Sequence, residues 1–228
     1  MLRQTVIILS LSCLTQAATI FDPGAEFSLK ANPNHVWQYG YSETRSLDPG
    51  QFRLDKYGTT AGLIGFWHPE TTDKPGPGYY PYIAFNTTNQ SQYGSSNGWS
   101  LRPGEVAMEA SNTGQYSLLR FVAPESGIYE ISARFAGVHF GLSSTDVHVL
   151  HNAVSLFDAE IQGYGGDAAF HKTEGTSPTA NYSGRLEMKA NDTITFACGY
   201  GKNQTHFSDT TGLIARIVLI RKTRVPKH

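Results

Sequence analysis

Apolar and polar residues alternate along most of this chain. Phe27, Leu29 and Ala31 alternate with polar neighbours, and Trp37, Tyr39 and Tyr41 share one face of an extended segment. Phe52 with Leu54, and Val106 and Met108 with Ala110, repeat the pattern. A period of two is what a half-buried strand needs, because successive side chains point to opposite faces. Ala61 to Trp67 and Tyr79 to Phe85 are continuous β-prone runs. Pro81 has no N–H to give a ladder, which marks the second run as an edge strand. Beyond the N-terminal apolar segment, no stretch of ten or more residues shows helical spacing free of Gly, Pro or β-branched interruption.

The second half repeats the pattern more cleanly. Tyr116 to Val122 reads as a strand, Ala123-Pro124-Glu125-Ser126-Gly127 as a turn, and Ile128 to Phe135 as the partner strand. Asp146 to Leu150 and Ser155 to Ile161 flank the turn former Asn152 and read as a hairpin. Leu186 and Met188 precede the Ala190-Asn191-Asp192 turn. Ile194, Phe196 and Cys198 form one face beyond it, and Leu213 to Ile220 makes a last strand. About ten strands without helices between them predict an all-β fold, an antiparallel β-sandwich that is jelly-roll-like. Residues 71–79, rich in Pro and Gly, and the polar stretch 86–98 are expected to be long loops on a single sandwich domain spanning 18–228.

The first residues change the picture of compartment. Arg3 followed by the short apolar run Val6 to Leu14 and the small-residue site Thr15-Gln16-Ala17 reads as a signal peptide, 1–17. The run is too short to span a bilayer, so the mature chain is expected to be secreted or at the cell surface and not membrane-spanning. Cleavage leaves Cys198 as the one cysteine, so no internal disulfide can form and the core alone must hold the fold. The formal charge of -1 argues against the basic surface that a nucleic-acid binder needs, and no nucleic-acid partner is expected. Sequons at Asn86, Asn89, Asn181, Asn191 and Asn203 would mark exposed loops if the source glycosylates them.

Several stretches resemble a known family. They include Trp37-Gln38-Tyr39-Gly40-Tyr41-Ser42, Arg102-Pro103-Gly104-Glu105, Tyr116 to Pro124 and Gly127-Ile128-Tyr129. Thr145 to Asn152, Asn191-Asp192-Thr193-Ile194 and Asp209-Thr210-Thr211-Gly212-Leu213 complete the set. Together they cover most of the mature chain. It is similar to a secreted bacterial β-sandwich module found in cell-surface proteins, many of which carry a PEP-CTERM sorting signal. The resemblance implies a jelly-roll-like fold and no particular activity. This chain ends in the basic tail Arg221 to His228 and has no Pro-Glu-Pro motif, so free secretion is expected over anchoring.

Candidate chemistry lies first in the aromatics. Sugar rings present flat C–H faces that a Trp, Tyr or Phe ring can cover. Trp67, Tyr80, Tyr82, Trp99 and Phe207 lie in or beside the expected loops and edges and are the candidate ligand-binding residues. The competing reading is that these rings fill the core. His148 and His151 fall on opposite faces of one strand and so do not chelate one metal, while His148 and Asp146 form a same-face pair. Asp167, Asp192 and Asp209 sit in turns where they would cap the backbone or hold a structural calcium ion. Asp158 and Glu160 share a face and are the candidate carboxylate pair for glycan hydrolysis. No G-x-S-x-G, P-loop or H-E-x-x-H motif is present. The leading expectation is a non-catalytic binding module for an extracellular glycan or matrix component. The alternatives are an assembly or adhesion module, which could be a homo-oligomer, and a polysaccharide-acting enzyme.

Overall fold

The computed structural model describes residues 18–69, 80–94 and 98–222. The expected signal peptide and the loop 71–79 lie outside the described residues. In chain order the strands are β1 (Thr19–Phe21), β2 (Trp37–Ser42), β3 (Phe52–Leu54), β4 (Tyr57–Ala61), β5 (Ile64–His68), β6 (Tyr82–Asn86), β7 (Gln92–Tyr93) and β8 (Ser100–Leu101). There follow β9 (Val106–Glu109), β10 (Ser117–Val122), β11 (Gly127–Gly137), β12 (Ser143–His151), β13 (Val154–Tyr164), β14 (Glu174–Ser177), β15 (Thr179–Met188), β16 (Thr193–Cys198) and β17 (Thr211–Lys222). Among the described residues there is no α-helix.

The strands form two large antiparallel sheets. The first runs β15-β11-β17-β9-β6-β5-β4, with β1 also paired to β17, and the second runs β14-β13-β12-β16-β10-β2-β3. Take β9 to β13 and β15 to β17 as eight consecutive strands. The first sheet then contains the sixth, third, eighth and first, and the second contains the fifth, fourth, seventh and second. That alternation of the chain between two stacked sheets is the jelly-roll order. The N-terminal strands widen both sheets on the same flank, beside β9 and β10.

The core lies between the sheets. Trp37, Tyr39, Phe121, Phe135, Phe196 and Ile217 are fully buried there. Each contributes roughly 1.5–3 kcal/mol relative to an exposed position. Cys198 is also fully buried, as its alternating run requires. A second cluster sits on the opposite face of the first sheet. Trp67, Ile83 and Met108 point inward, while their neighbours Phe66, Tyr82 and Ala107 point outward and join Ile64, Ala84, Trp99 and Leu101. The small β7–β8 hairpin carries Leu101 and places Trp99 over this face. The run Ile64 to Trp67 is therefore apolar throughout because both faces of β5 are covered.

Four expectations are corrected. Phe27 to Ala31 alternates but forms no strand, and side chains take up part of its backbone: Trp67 Nε1 donates to Ser28 O at 2.8 Å, and Lys30 N donates to Ser28 Oγ at 3.1 Å. Pro81 does not mark an edge. It precedes β6, which is an interior strand between β5 and β9. The turn after β10 is not a hairpin, since β10 pairs with β16 and β2 while β11 pairs with β15 and β17. The turn carries the chain from one sheet to the other, so that both strands bury their apolar faces in the shared core. Asn86 is not on an exposed loop: it is 1% exposed, and its Nδ2 donates to Gln90 O at 2.6 Å and Leu101 O at 3.0 Å. The β12–β13 hairpin is as expected, with Asn152 at a φ of 54° in its turn.

Candidate binding site

A cavity of about 520 Å³ opens where the outer face of the first sheet meets two loops. Its floor is built by a cross-strand pair, Tyr82 at the start of β6 and Glu109 at the end of β9. The Tyr82 hydroxyl donates to Glu109 Oε2 at 2.7 Å, and Thr210 Oγ1 donates to the same oxygen at 2.5 Å. Burial raises the Glu109 carboxyl to about 7, against the pull of those two donors. The outward face of an antiparallel sheet would normally be polar and exposed. Here the β7–β8 hairpin and the loops enclose it.

One wall comes from Trp99 and His139, whose backbones form an isolated antiparallel bridge. Gly94 lies flat against the indole: a Cβ added there would fall 1.8 Å from Trp99 Cε2, so only glycine leaves the ring its place. His139 Nδ1 accepts the Gly141 N–H at 2.9 Å, which leaves Nε2 to carry the ring proton, and burial holds the imidazole below its ordinary range and neutral. The opposite wall is the loop between β16 and β17. Gly201 N donates to Asp146 Oδ1 at 2.7 Å, and Ser144 N donates to Asp209 Oδ1 at 2.8 Å, so the loop is pinned at both ends. Its crest presents Gln204, His206 and Phe207. Phe207 is 75% exposed, and His206 is held below its usual range by burial.

Of the six non-glycine residues with positive φ among the described residues, three lie in these two loops: Leu142 at 66°, Gln204 at 56° and Ser208 at 67°. Asn152 and Asn191 adopt such angles readily in turns, whereas for a leucine the conformation is costly. The walls also touch, because a Cβ at Gly141 would meet Ser208 Oγ at 2.5 Å. The loops hold a specific shape at some conformational cost. Among the described residues lining the cavity there is no Lys or Arg, and Glu109 is the single carboxylate. The remaining polar groups are the Asn112 and Gln204 amides and the hydroxyls of Thr205, Ser208 and Thr210.

Of the sequence candidates, Tyr82, Trp99 and Phe207 meet in this cavity. Their exposure differs: Tyr82 and Trp99 are 1% and 5% exposed and form floor and wall, so only Phe207 is a freely presented ring. Trp67 is corrected. It is 5% exposed, stacks on Tyr39 at 5.9 Å inside the sandwich, and spends its indole N–H on Ser28 O. Tyr80 lies apart, stacked on His68 at 4.9 Å beside a smaller cavity that Tyr82 also lines.

The other sequence candidates lie elsewhere. Asp158 and Glu160 stand on the outer face of the second sheet, bonded to His148 Nδ1 at 2.5 Å and to Lys202. His148 Nε2 meets Asp146 Oδ2 at 2.8 Å, the expected same-face pair. Asp167 accepts from Ser91 Oγ at 2.5 Å and Ala169 N at 2.9 Å, and Asp192 accepts from Lys189 N at 2.7 Å. Among the described residues no group of three or more His, Cys, Asp and Glu side chains is placed to hold a metal ion. Sequence reasoning missed Glu109, Asn112 and Gln204. Glu109 sits between Met108 and Ala110 in an alternating run, where its position reads as an ordinary solvent face.

No protein-family model matches this chain, and no curated protein sequence matches it. Solved structures do. The CBM51 of a Clostridium perfringens GH95 protein, in complex with methyl-galactose, is 13% identical and aligns over 87% of this chain and 99% of its own, with a TM-score of 0.37. A family 35 carbohydrate binding module from Clostridium thermocellum is 13% identical over 71% of this chain and 95% of its own, with a TM-score of 0.28. Rabbit GITRL is 18% identical over 47% of this chain and 74% of its own, also at 0.28. Among the described residues no helix is long and apolar enough to cross a membrane.

Proposed function

We propose that this protein is a non-catalytic binding module whose cavity takes a neutral sugar unit of an extracellular glycan. The observation that supports this reading is the composition of the cavity wall. An exposed ring, Phe207, faces amides, hydroxyls, two neutral imidazoles and one carboxyl, with no cation among the described lining residues. A sugar offers C–H faces to the ring and hydroxyls to the amides and to Glu109. A phosphate or sulfate ligand would call for Arg or Lys, which provide charge-assisted and bidentate bonds. Glycoside hydrolysis calls for two carboxyls flanking the bond, and Asp158 and Glu160 are tied into ion pairs on the other sheet. An assembly surface would be flat and apolar, while this site is concave and mixes rings with amides, hydroxyls and a carboxyl. The N-terminal segment read as an export signal would bring the cavity to glycans outside the cell.

The test is a glycan array on the chain from residue 18, followed by calorimetry on the best ligand. Phe207→Ala is expected to weaken binding by about 2- to 13-fold, the loss of one aromatic contact of about 0.5–1.5 kcal/mol. Gln204→Ala is expected to weaken it without changing stability. An array without signal, or a Phe207→Ala protein that binds as tightly as the parent, would overturn the proposal.

A further inference from the structure

A second cavity, of about 160 Å³, lies on the same outer face of the first sheet, on the other side of Tyr82. Thr59 and Ala61 from β4, Phe66 and His68 from β5, and Tyr80 line it together with Tyr82. Tyr82 therefore borders both cavities. The second combines rings with threonine and tyrosine hydroxyls and one imidazole, and has no amide or carboxyl among its described lining residues. Tyr80 stacks on the His68 imidazole with rings 4.9 Å apart and 20° from parallel, and His68 Nε2 lies 3.0 Å from Thr59 Oγ1. Phe66 meets Tyr82 edge-on at 5.6 Å and Trp99 edge-on at 6.4 Å, so one run of rings connects the two sites.

The strand order gives the reach. From β4 through β5 and β6 to β9 is three strand spacings, roughly 14 Å at about 4.8 Å each. That exceeds one hexose ring. It suits a short run of linked sugars lying across the strands, with one unit in the larger cavity and a neighbour over Tyr80. A free monosaccharide would fill the first site and leave the second empty.

We infer that the smaller cavity, bordered by Tyr80, His68 and Ala61, is a second sugar subsite, which makes this a module for oligosaccharide chains. This rests on the reading of the larger cavity as a sugar site. Ala61 is exposed at the end of β4, so a large side chain there fills the subsite without disturbing the core. Tyr80 is half-buried, and its removal strips the ring from the subsite while leaving Phe207 untouched.

The experiment is calorimetry with manno-, galacto-, xylo- and cello-oligosaccharides, each from the monosaccharide to the hexasaccharide. The parent protein, Ala61→Trp, Tyr80→Ala and Phe207→Ala are compared. Affinity of the parent for its preferred series is expected to rise at least tenfold with chain length. Ala61→Trp and Tyr80→Ala are expected to lose that rise while binding the monosaccharide as the parent does. Phe207→Ala is expected to weaken every length alike. Binding that does not strengthen with length, or a length dependence that survives in both Ala61→Trp and Tyr80→Ala, overturns the second subsite and leaves the first standing. Absence of binding at every length overturns both.

Discussion

Tyr82 and Glu109 face each other across the β6–β9 ladder, and the tyrosine hydroxyl donates to Glu109 Oε2 at 2.7 Å. The pair closes the floor of the cavity and puts a carboxyl where the alternation of β9 calls for a solvated side chain. Its burial gives the folded protein a group that titrates near neutrality.

Glu109 should make stability fall with rising pH. Its folded value, about 7, lies above the ordinary 4.5, so the folded state binds the extra proton between those values. The stabilisation is complete below about pH 4.5 and is lost as pH rises through about 7. The loss approaches about 3 kcal/mol, because each pH unit between the two values is worth about 1.4 kcal/mol. Asp209, raised to about 8 by burial, acts in the same direction. Urea unfolding of the parent and of Glu109→Gln between pH 4 and pH 8 should therefore converge or cross as pH rises, with the flatter profile in the variant. Parallel profiles would show that Glu109 ionises as an exposed carboxyl does.

His148 should titrate above the usual histidine range. Its own burial opposes the charge, and the Asp146 and Asp158 carboxylates on its two ring nitrogens outweigh that burial. The sign follows from the raised value: this clamp between β12 and β13 stabilises the fold fully below about pH 6.5, the unfolded reference, and fades as pH climbs through the folded value. Proton NMR of the imidazole resolves the residue by itself. Asp158→Asn should lower the midpoint, and a parent midpoint at or below 6.5 would contradict the clamp.

Gly94→Ala should damage the cavity through packing alone. The new methyl would enter the Trp99 ring, so either the hairpin shifts or the indole turns away. A cost of about 1–3 kcal/mol is expected, as for other overpacked sites. Chemical denaturation reads the loss, and a displaced tryptophan emission maximum reads the movement of Trp99.

Trp67 and Phe207 should behave as opposites. Trp67→Ala empties a site inside the sandwich and should cost about 3–5 kcal/mol. Phe207→Ala removes a ring that is three-quarters exposed and should change stability by no more than about 0.5 kcal/mol. Equal effects on the denaturation midpoint would mean that one of the two rings is misplaced.

Much of this molecule is legible in its residues one after another. Period-two runs such as Val106 to Ala110 and Ile128 to Phe135 specify strands, because side-chain direction alternates locally whatever lies opposite. The absence of helical spacing then leaves two stacked sheets as the way to bury one face of each strand. Partnership is another matter. Ala123 to Ser126 looks like a hairpin turn, yet it crosses between sheets, because hydrogen bonding to β15, β16 and β17 depends on chain far downstream. The same holds for the site. Composition singles out Trp67 and Trp99 equally, and only packing sends one between the sheets and the other beneath a hairpin at the cavity wall. Alternation tells that Glu109 and Met108 point opposite ways, but a face becomes solvent or pocket only when distant segments, here residues 98–100 and 199–210, fold over it. Local sterics set the strands, and long-range burial set which of their faces a ligand can reach.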